Sequence, residues 1–518
     1  MKSNQWDAKS CGVRMNRRGF LSACSACTAL CAATPLTTIH CARADRTKKK
    51  TIRIIYALHA AVQPSPDWPN IGFDFKPEIQ RINDTLRHEC PEFTFTPLMA
   101  SGPEEAERIL MLDKDDDIDG YIVFQMNCWN RVVQTFATSG KPVLYADFQY
   151  GGSGGFLVYN ATFIRSRTPN VGFVASSKMD DLVTAVKCFA KIHSADEFAA
   201  LTTQMRMKNT RKAGHQKVKA DELMMLAPQD CLARMRASKI LAVRDQNAGP
   251  AEPIFNIPME YVAFAEVNAA WEKADREEAC VVAERWRKSA ADVIDVPFET
   301  LETSAAFYLG MKEVLKKHSA DAITINCLGG FYGGHIHAYP CLGFHELNNE
   351  GLVGACECDT RSTATMLAFS HLTKGRPGYI SDPVIDTAKR QIIYAHCVAP
   401  SKVFGSEGPS NPFVIMTHSE DRQGASVRSL LPTGYMTTTL EILPDQQEIL
   451  LHQGIAVDND ADDRACRTKL CVEPLGDIEK LFTLWDRWGW HRVTFYGDLR
   501  EPVHALADHI GWRVVEHA

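Results

Sequence analysis

Past residue 44 the sequence has no apolar run approaching the ~18–20 residues that a membrane-crossing helix requires, so no integral membrane span is expected in the mature chain. It also lacks an excess of positive charge. The 57 Lys+Arg against 63 Asp+Glu leave a net charge of -6, with no global field to attract nucleic acid or anionic lipid. The one dense basic stretch, residues 206–219 with Arg206, Lys208, Arg211, Lys212, Lys217 and Lys219, has no interleaved aromatics and reads as a solvated face rather than a nucleic-acid surface. Phosphate-cradling motifs are missing too: the glycine-rich segment 151–155 (Gly-Gly-Ser-Gly-Gly) is neither a G-x-G-x-x-G nor a Walker sequence and reads as a flexible loop. No short-period repeat is visible. The 17 cysteines show no zinc-ribbon spacing. Five of them precede residue 44; most of the other 12 read as small buried apolar residues, with disulfides open for some if the mature chain lies outside the cytoplasm. What remains is an ordinary globular composition, 45% hydrophobic and 23% charged, over 518 residues, enough for two to four domains.

The N-terminus carries an expected export signal. Asn16-Arg17-Arg18-Gly19-Phe20-Leu21 leads into small and apolar residues up to about Leu36, and Ala42-Arg43-Ala44 offers a small-x-small cleavage site. The paired arginines resemble the twin-arginine type, which moves folded proteins. Met15 sits just before the motif, so residues 1–14 read as a possible over-called start. Residues 1–44 hold six bases and one acid, so their removal leaves 51 bases, 62 acids and a charge near -11. A soluble protein handling small ligands outside the cytoplasm is expected, or a cytoplasmic one if the leader is not functional.

Continuous apolar runs at residues 52–56, 120–124 and 142–146, separated by helical spacing such as residues 77–89, read as buried parallel strands of an α/β domain over residues 45–165. A second α/β domain is expected over residues 166–375, with a helix at 180–194, a strand at 240–243, a long helix at 259–289, a helix at 301–317 and a strand at 322–326. After Gly375-Arg376-Pro377-Gly378 the alternation stops. Residues 391–397, 412–418, 434–442 and 447–456 read as strands joined by turns, then a helix at 475–488, a strand at 491–496, a helix at 501–510 and a final strand at 513–515. The fold class expected is two Rossmann-like parallel-sheet domains followed by an antiparallel, barrel-like domain with flanking helices over residues 376–518.

Four chemistry-bearing residues stand out. Glu357 follows a strand-like run, Asp382 precedes a proline at a predicted boundary, His396 ends a strand and His491 begins one. Taken singly, an Asp before Pro is usually a turn residue and a strand-end His is usually a satisfied histidine. Gly333-Gly334-His335-Ile336-His337 is a weaker candidate, since two His in a glycine-rich loop need not converge. Residues 417–422 (Thr-His-Ser-Glu-Asp-Arg) are polar enough to contact a sugar through His418, against a plain loop with local hydrogen bonds.

The stretch Leu347-Asn348-Asn349-Glu350-Gly351-Leu352-Val353-Gly354-Ala355-Cys356-Glu357-Cys358-Asp359 resembles the segment leading to the Glu-Gly-Asp element of the L-fucose and L-arabinose isomerase superfamily. Residues 393–401 resemble that family's strand-His-Cys-x-x-Pro segment, and Gly489-Trp490-His491-Arg492 its Gly-x-His-His element. The likeness runs from about residue 320 to the end. It implies a divalent metal, commonly Mn²⁺, held by Glu357, Asp382 and His491, with His396 added as in the arabinose branch. It further implies Glu357 and Asp382 as the acid–base pair that moves a proton between C1 and C2 of a sugar through an ene-diolate, and assembly into trimers or hexamers. Oxygen-rich ligation with imidazole suits such a hard ion without thiolates. Two positions depart from the pattern: Cys358 replaces the Gly, and Arg492 replaces the second His, where it is free to contact a substrate oxygen or anion. The expected function is therefore a metal-dependent aldose–ketose isomerase acting on a small-molecule sugar. The alternative is a non-catalytic carbohydrate-binding protein on the same scaffold, and a lyase or epimerase using ene-diolate chemistry is a third possibility.

Overall fold

The computed structural model describes residues 49–518 except 215–216 and 246–247; the export leader and cleavage site lie outside the described residues. The first sheet contains β1 (Lys50–Ala57), β2 (Phe93–Ala100), β3 (Gly120–Gln125), β4 (Val143–Asp147) and β5 (Val171–Val174), all parallel in the order β2-β1-β3-β4-β5. Alternation along β1 feeds two cores. Ile52, Ile54 and Tyr56 pack on one face with Ile82 and Leu86 of the helix Lys76–Glu89. Ile55 and Ala57 face the other side, in a core that runs on through Phe156 and Phe173 to Tyr394, Leu470 and Trp485 near the C-terminus. β5 lies beyond residue 165, so this sheet extends past the expected boundary.

The second sheet holds β6 (Ile240–Arg244), β7 (Gly249–Ile254) and β8 (Ile257–Ala263). The short β9 (Asp292–Ile294) joins a small separate sheet, and β10 (Ala322–Ile325) and β11 (Val353–Cys356) complete the second. Its order is β11-β10-β6-β8-β7, parallel except for the antiparallel edge strand β7. The single helix expected at 259–289 is instead β8 followed by two helices, Phe264–Lys273 and Arg276–Ser289. Asp275 divides them, because its carboxylate accepts the backbone N–H groups of Glu277 at 2.8 Å and Glu278 at 3.1 Å and starts a new helix.

The C-terminal part comprises β12 (Tyr379–Asp386), β13 (Gln391–His396), β14 (Phe413–Met416), β15 (Ser426–Ser429), β16 (Met436–Leu443), β17 (Glu448–Asn459), β18 (Thr468–Pro474), β19 (Arg492–Tyr496) and β20 (Arg513–Glu516). Six of them close an antiparallel barrel, β16-β19-β12-β13-β18-β17 and back to β16, so no barrel edge is left open. β20 adds to β17 in parallel, and β14 pairs with β15 on one side and with β9 on the other. The helix expected at 475–488 is a short helix, Ile478–Leu481, and a 3₁₀ turn, Trp485–Trp488.

The glycine-rich segment is not a flexible loop. It opens the helix Ser153–Arg165, whose first turn is buried. A β-carbon on Gly152 would lie 1.9 Å from the Gln125 carbonyl oxygen, so the glycine lets this helix sit directly on the end of β3. Gly152→Ala is expected to cost about 1–3 kcal/mol through overpacking and to lower the thermal unfolding midpoint. An unchanged midpoint by scanning calorimetry would show that the helix can move away.

Candidate metal centre

The barrel register brings three of the four sequence candidates together. Asp382 is opposite Ala395 on β13, next to His396 at the strand end. On the other side of β12, Ser381 is opposite Arg492 of β19, which places Asp382 beside His491. Asp382 is thus a strand residue, not a turn residue. The following proline is tolerated because β19 pairs with β12 only at Tyr379–Ser381, leaving the Pro383 side free of ladder bonds.

Glu357 arrives from the second sheet. It follows β11 with φ 63°, and Cys358 follows with φ 52°, two consecutive non-glycine residues in the left-handed region. This explains the glycine of the related motif, and Cys358 takes the same turn under strain. The turn is held by Cys358 N–H donating to the Ile325 carbonyl at 3.0 Å.

One ligand-type atom from each of Glu357, Asp382, His396 and His491 lies within 4.8 Å of the others. His491 Nε2 is 3.1 Å from Asp382 Oδ1 and 3.4 Å from Glu357 Oε2, and His396 Nε2 is 3.9 Å from Glu357 Oε1. Asp382 Oδ1, His396 Nε2 and His491 Nε2 are all buried, and apart from the close approach of His491 Nε2 to the two carboxylates none of them has a hydrogen-bond partner. Buried polar atoms without well-formed hydrogen bonds are costly, and their convergence on one point fits a cation bound among two carboxylates and imidazole. Burial alone would push the His491 pKa down. The Glu357 charge and hydrogen bonding to the surrounding carboxylates outweigh it and raise it well above the usual histidine value. Burial would likewise raise the Glu357 carboxyl, but His491 and His396 hold it below its ordinary value.

The two imidazoles present different faces. His491 Nδ1 is 2.9 Å from Asp359 Oδ2, so the ring donates its Nδ1 proton there and turns Nε2 to the cluster, where a bound cation would take the place of the second proton. His396 Nδ1 instead accepts the Cys397 backbone N–H at 3.0 Å, which leaves the neutral ring's proton on Nε2. Glu357 and Asp382 thus offer lone pairs, His491 offers Nε2 once its second proton is displaced, and His396 offers an N–H.

Asp359 was legible in the sequence only as part of a motif. Its Oδ1 accepts Arg361 N–H at 3.1 Å and Ser362 N–H at 3.0 Å and so caps the helix Thr360–Leu372, while its Oδ2 holds His491. The local signal was an Asp directly before Thr-Arg-Ser at the head of a helical stretch. Arg492 is not brought to a substrate. It is fully buried, donates to the carbonyls of His491 at 2.7 Å, Gly489 at 2.9 Å and Trp485 at 3.1 Å, and lies 4.2 Å over the Trp485 ring. It therefore clamps the turn that delivers His491. Gly489, at φ 77°, lets that turn approach Arg361, since a β-carbon would fall 2.0 Å from its Nη2.

His418 sits near the cluster but outside it. Its Nδ1 is 3.2 Å from Asp421 Oδ1, and its ring packs against Tyr339. The loop around it is closed by local hydrogen bonds, such as His418 N–H to the Gln423 carbonyl at 2.7 Å. Burial pushes the neighbouring Glu420 carboxyl up to about 8 against the opposing charge of His418, with Asp67 and Glu357 raising it further. The loop after β1 reaches this wall: Ile71 N–H donates to the Glu420 carbonyl at 2.8 Å, and Arg422 donates to Asn70 Oδ1 at 2.7 Å. The loop after β3 meets the barrel through Trp129, edge-on to Trp490 with ring centroids 6.0 Å apart. β1 and β3 flank the point where the first sheet's strand order reverses, the usual ligand-facing crevice of such sheets. His335 and His337 do not converge; they pack against Phe264 and Trp271. The twelve cysteines among the described residues are all free. No helix among the described residues is long and apolar enough to cross a membrane.

No protein-family model matches the chain. Among curated proteins it is similar to sulfoquinovose isomerases. It is 26% identical to that of Priestia aryabhattai over 162 residues, 31% of this chain and 36% of the relative. The sulfoquinovose isomerase of Alkalicoccus urumqiensis is 25% identical over the same length. That of Clostridium sp. (strain MSTE9) is 22% identical over 262 residues, 49% of this chain and 57% of the relative. The chain therefore spans between about a third and just over half the length of the curated relatives it matches.

Asp359→Asn keeps a competent helix cap but removes the charge that orients His491. The Kd for Mn²⁺, read by calorimetric titration, is expected to rise about 10–100-fold with little change in unfolding midpoint. Equal affinity in the two proteins would separate Asp359 from the metal site. Glu441, inside the barrel, bonds Ser362 Oγ at 2.7 Å and Thr365 Oγ1 at 3.0 Å, and burial together with Asp359 pushes its carboxyl up to about 7. A raised carboxyl stabilises the fold below its unfolded pKa, and that contribution is lost as pH rises through about 7. Glu441→Gln should thus gain stability relative to the parent as pH rises from about 4.5 to about 7 and keep that gain above it, and parallel midpoint-versus-pH curves across that window would contradict this.

Proposed function

We propose that the chain is a metal-dependent aldose–ketose isomerase acting on a monosaccharide through an ene-diolate. The observation that carries the reading is the convergence of one ligand-type atom from each of Glu357, Asp382, His396 and His491 within 4.8 Å of the others. Glu357, Asp382 and His491 would hold the ion, and a hard divalent ion such as Mn²⁺, when bound, supplies Lewis-acid stabilisation of the negative charge that develops on two adjacent sugar oxygens.

The protein groups divide the remaining work by exposure. The Glu357 side chain is 30% exposed and that of Asp382 6%, so Glu357 is the carboxylate open to substrate and the group placed to take the proton from carbon. Asp382, enclosed beside His491, is placed to exchange a proton with the neighbouring oxygen. His396 donates its Nε2–H to a substrate oxygen. Asp359 and Arg492 hold His491 in place. The relatives' name makes sulfoquinovose, a hexose bearing a sulfonate, the first substrate to try. Twelve free thiols among the described residues fit a chain that folds in a reducing compartment before passage through the twin-arginine route, so an extracytoplasmic location belongs to the proposal, as does a homo-oligomeric assembly.

The deciding experiment pairs metal analysis of the purified protein with solvent-deuterium incorporation at C2 of sulfoquinovose, glucose, fucose and arabinose. One ion per chain and deuterium uptake into one of these sugars are expected. Glu357→Gln should lose at least ~10²-fold in exchange rate. Metal without exchange would point to a sugar-binding protein, and neither metal nor exchange would sink the reading.

A further inference from the structure

A second cavity, of about 270 Å³, lies at the carboxyl ends of β3, β4 and β5 and shares no residue with the metal cluster. Its floor is Phe124, Asp147 and Val174 from the three strand ends. Its other walls are Phe148 and Tyr150 from the turn after β4, and Asp460, Asp462 and Arg464 from the barrel connection between β17 and β18. Carboxyl strand ends are where open parallel sheets bind ligands, and the volume is near the lower end of the range for small-molecule sites.

The polar groups are distributed unevenly. Asp147 accepts the Ser153 hydroxyl at 2.9 Å on each oxygen, and no cation pairs with it among the described residues. Arg464, the cation that acts on it, is held by Asp462 at 2.6 and 2.9 Å. Asp460 accepts the Tyr150 hydroxyl at 2.8 Å. The interior thus presents carboxylate acceptors against aromatic rings, a surface suited to hydroxyl donors and C–H faces. The mouth carries the opposite charge: Arg81, Lys178 and Lys389 are exposed around it, Arg81 paired with Glu78 at 2.8 Å and Lys389 with Asp460 at 3.5 Å, which leaves Lys178 as the cation turned to an incoming anion. Burial pushes the Asp147 carboxyl up to about 7, as expected of an acceptor whose partner in the cavity is not a fixed cation.

We propose that this cavity is a second small-molecule site, which takes a monosaccharide-sized polyol bearing one anionic group, with hydroxyls at Asp147 and Asp460 and the anion at the Lys178 mouth. A neutral sugar would leave Lys178 unused, and an inorganic anion would not engage the interior carboxylates.

Calorimetric titration of the full chain with D-glucose 6-phosphate, D-glucuronate, D-glucose and inorganic phosphate tests it. One of the two anionic sugars is expected to bind once per chain with Kd at or below about 1 mM, at least about tenfold tighter than glucose or phosphate. Asp147→Asn and the exposed Lys178→Glu should each weaken that binding about tenfold or more, and Glu357→Gln should leave it unchanged. Because Lys178 is exposed, its variant reports on the site even if Asp147→Asn fails to fold. The proposal is overturned by the absence of saturable binding of either sugar, by phosphate binding as tightly, or by binding that follows Glu357 and ignores Asp147 and Lys178. Failure here leaves the isomerase reading untouched, since that is read by metal content and deuterium exchange.

Discussion

The Asp359 carboxylate joins the two halves of the candidate metal centre. One oxygen closes the first turn of the helix Thr360–Leu372 and the other receives the His491 Nδ1 proton, so helix capping and ligand orientation share a single side chain. The arrangement matters because the donors come from separate layers: Glu357 from the second α/β sheet, and Asp382, His396 and His491 from the barrel. A centre assembled across two layers keeps its geometry only if something buried and directional spans them. Burial would raise the Asp359 carboxyl, but His491 and the capping N–H groups lower it far below the ordinary value, so it stays charged.

Around this joint the protein stores strain and compensates it locally. Each left-handed non-glycine residue costs of order 1 kcal/mol or more, and Glu357 and Cys358 are adjacent. The β10–β11 pairing on one side and the Asp359 cap on the other define the turn so fully that it has no easier path. On the far side of the centre, Arg492 plays the corresponding part, using guanidinium donors on carbonyls of the turn before β19. Closing the six strands into a barrel puts β12 between β13 and β19, and that adjacency makes three residues far apart in sequence into neighbours. The first sheet completes the enclosure with the loops after β1 and β3.

Much of this architecture was legible from pattern. The buried runs of β1, β3 and β4 have the unbroken apolar character of strands covered on both faces, and the loss of alternation after residue 378 marked the change to antiparallel structure. Elements were misread where local pattern is ambiguous. Residues 257–263 are rich enough in apolar side chains to pass for the start of a helix, and only pairing with β6 makes them a strand. The glycine-rich segment has poor helix propensity, yet helical packing against β3 requires residues without side chains there. Trp485-Asp486-Arg487-Trp488 shows helical spacing but is held to one 3₁₀ turn by Arg492.

By itself the sequence determined which residue types were available for chemistry, that Glu357, Asp382, His396 and His491 deserved to be considered together, and that the chain passes from parallel α/β units to an antiparallel closing unit. Periodicity and motif carry such information because each depends on neighbours within a few residues. Only the tertiary structure decided that the four side chains meet, that His491 and His396 are oriented by different Nδ1 partners, that Asp359 belongs to the site, and that Arg492 turns inward. Each of those outcomes depends on strand register and on hydrogen bonds between residues as much as 132 positions apart, and no local pattern in the chain encodes such a distance.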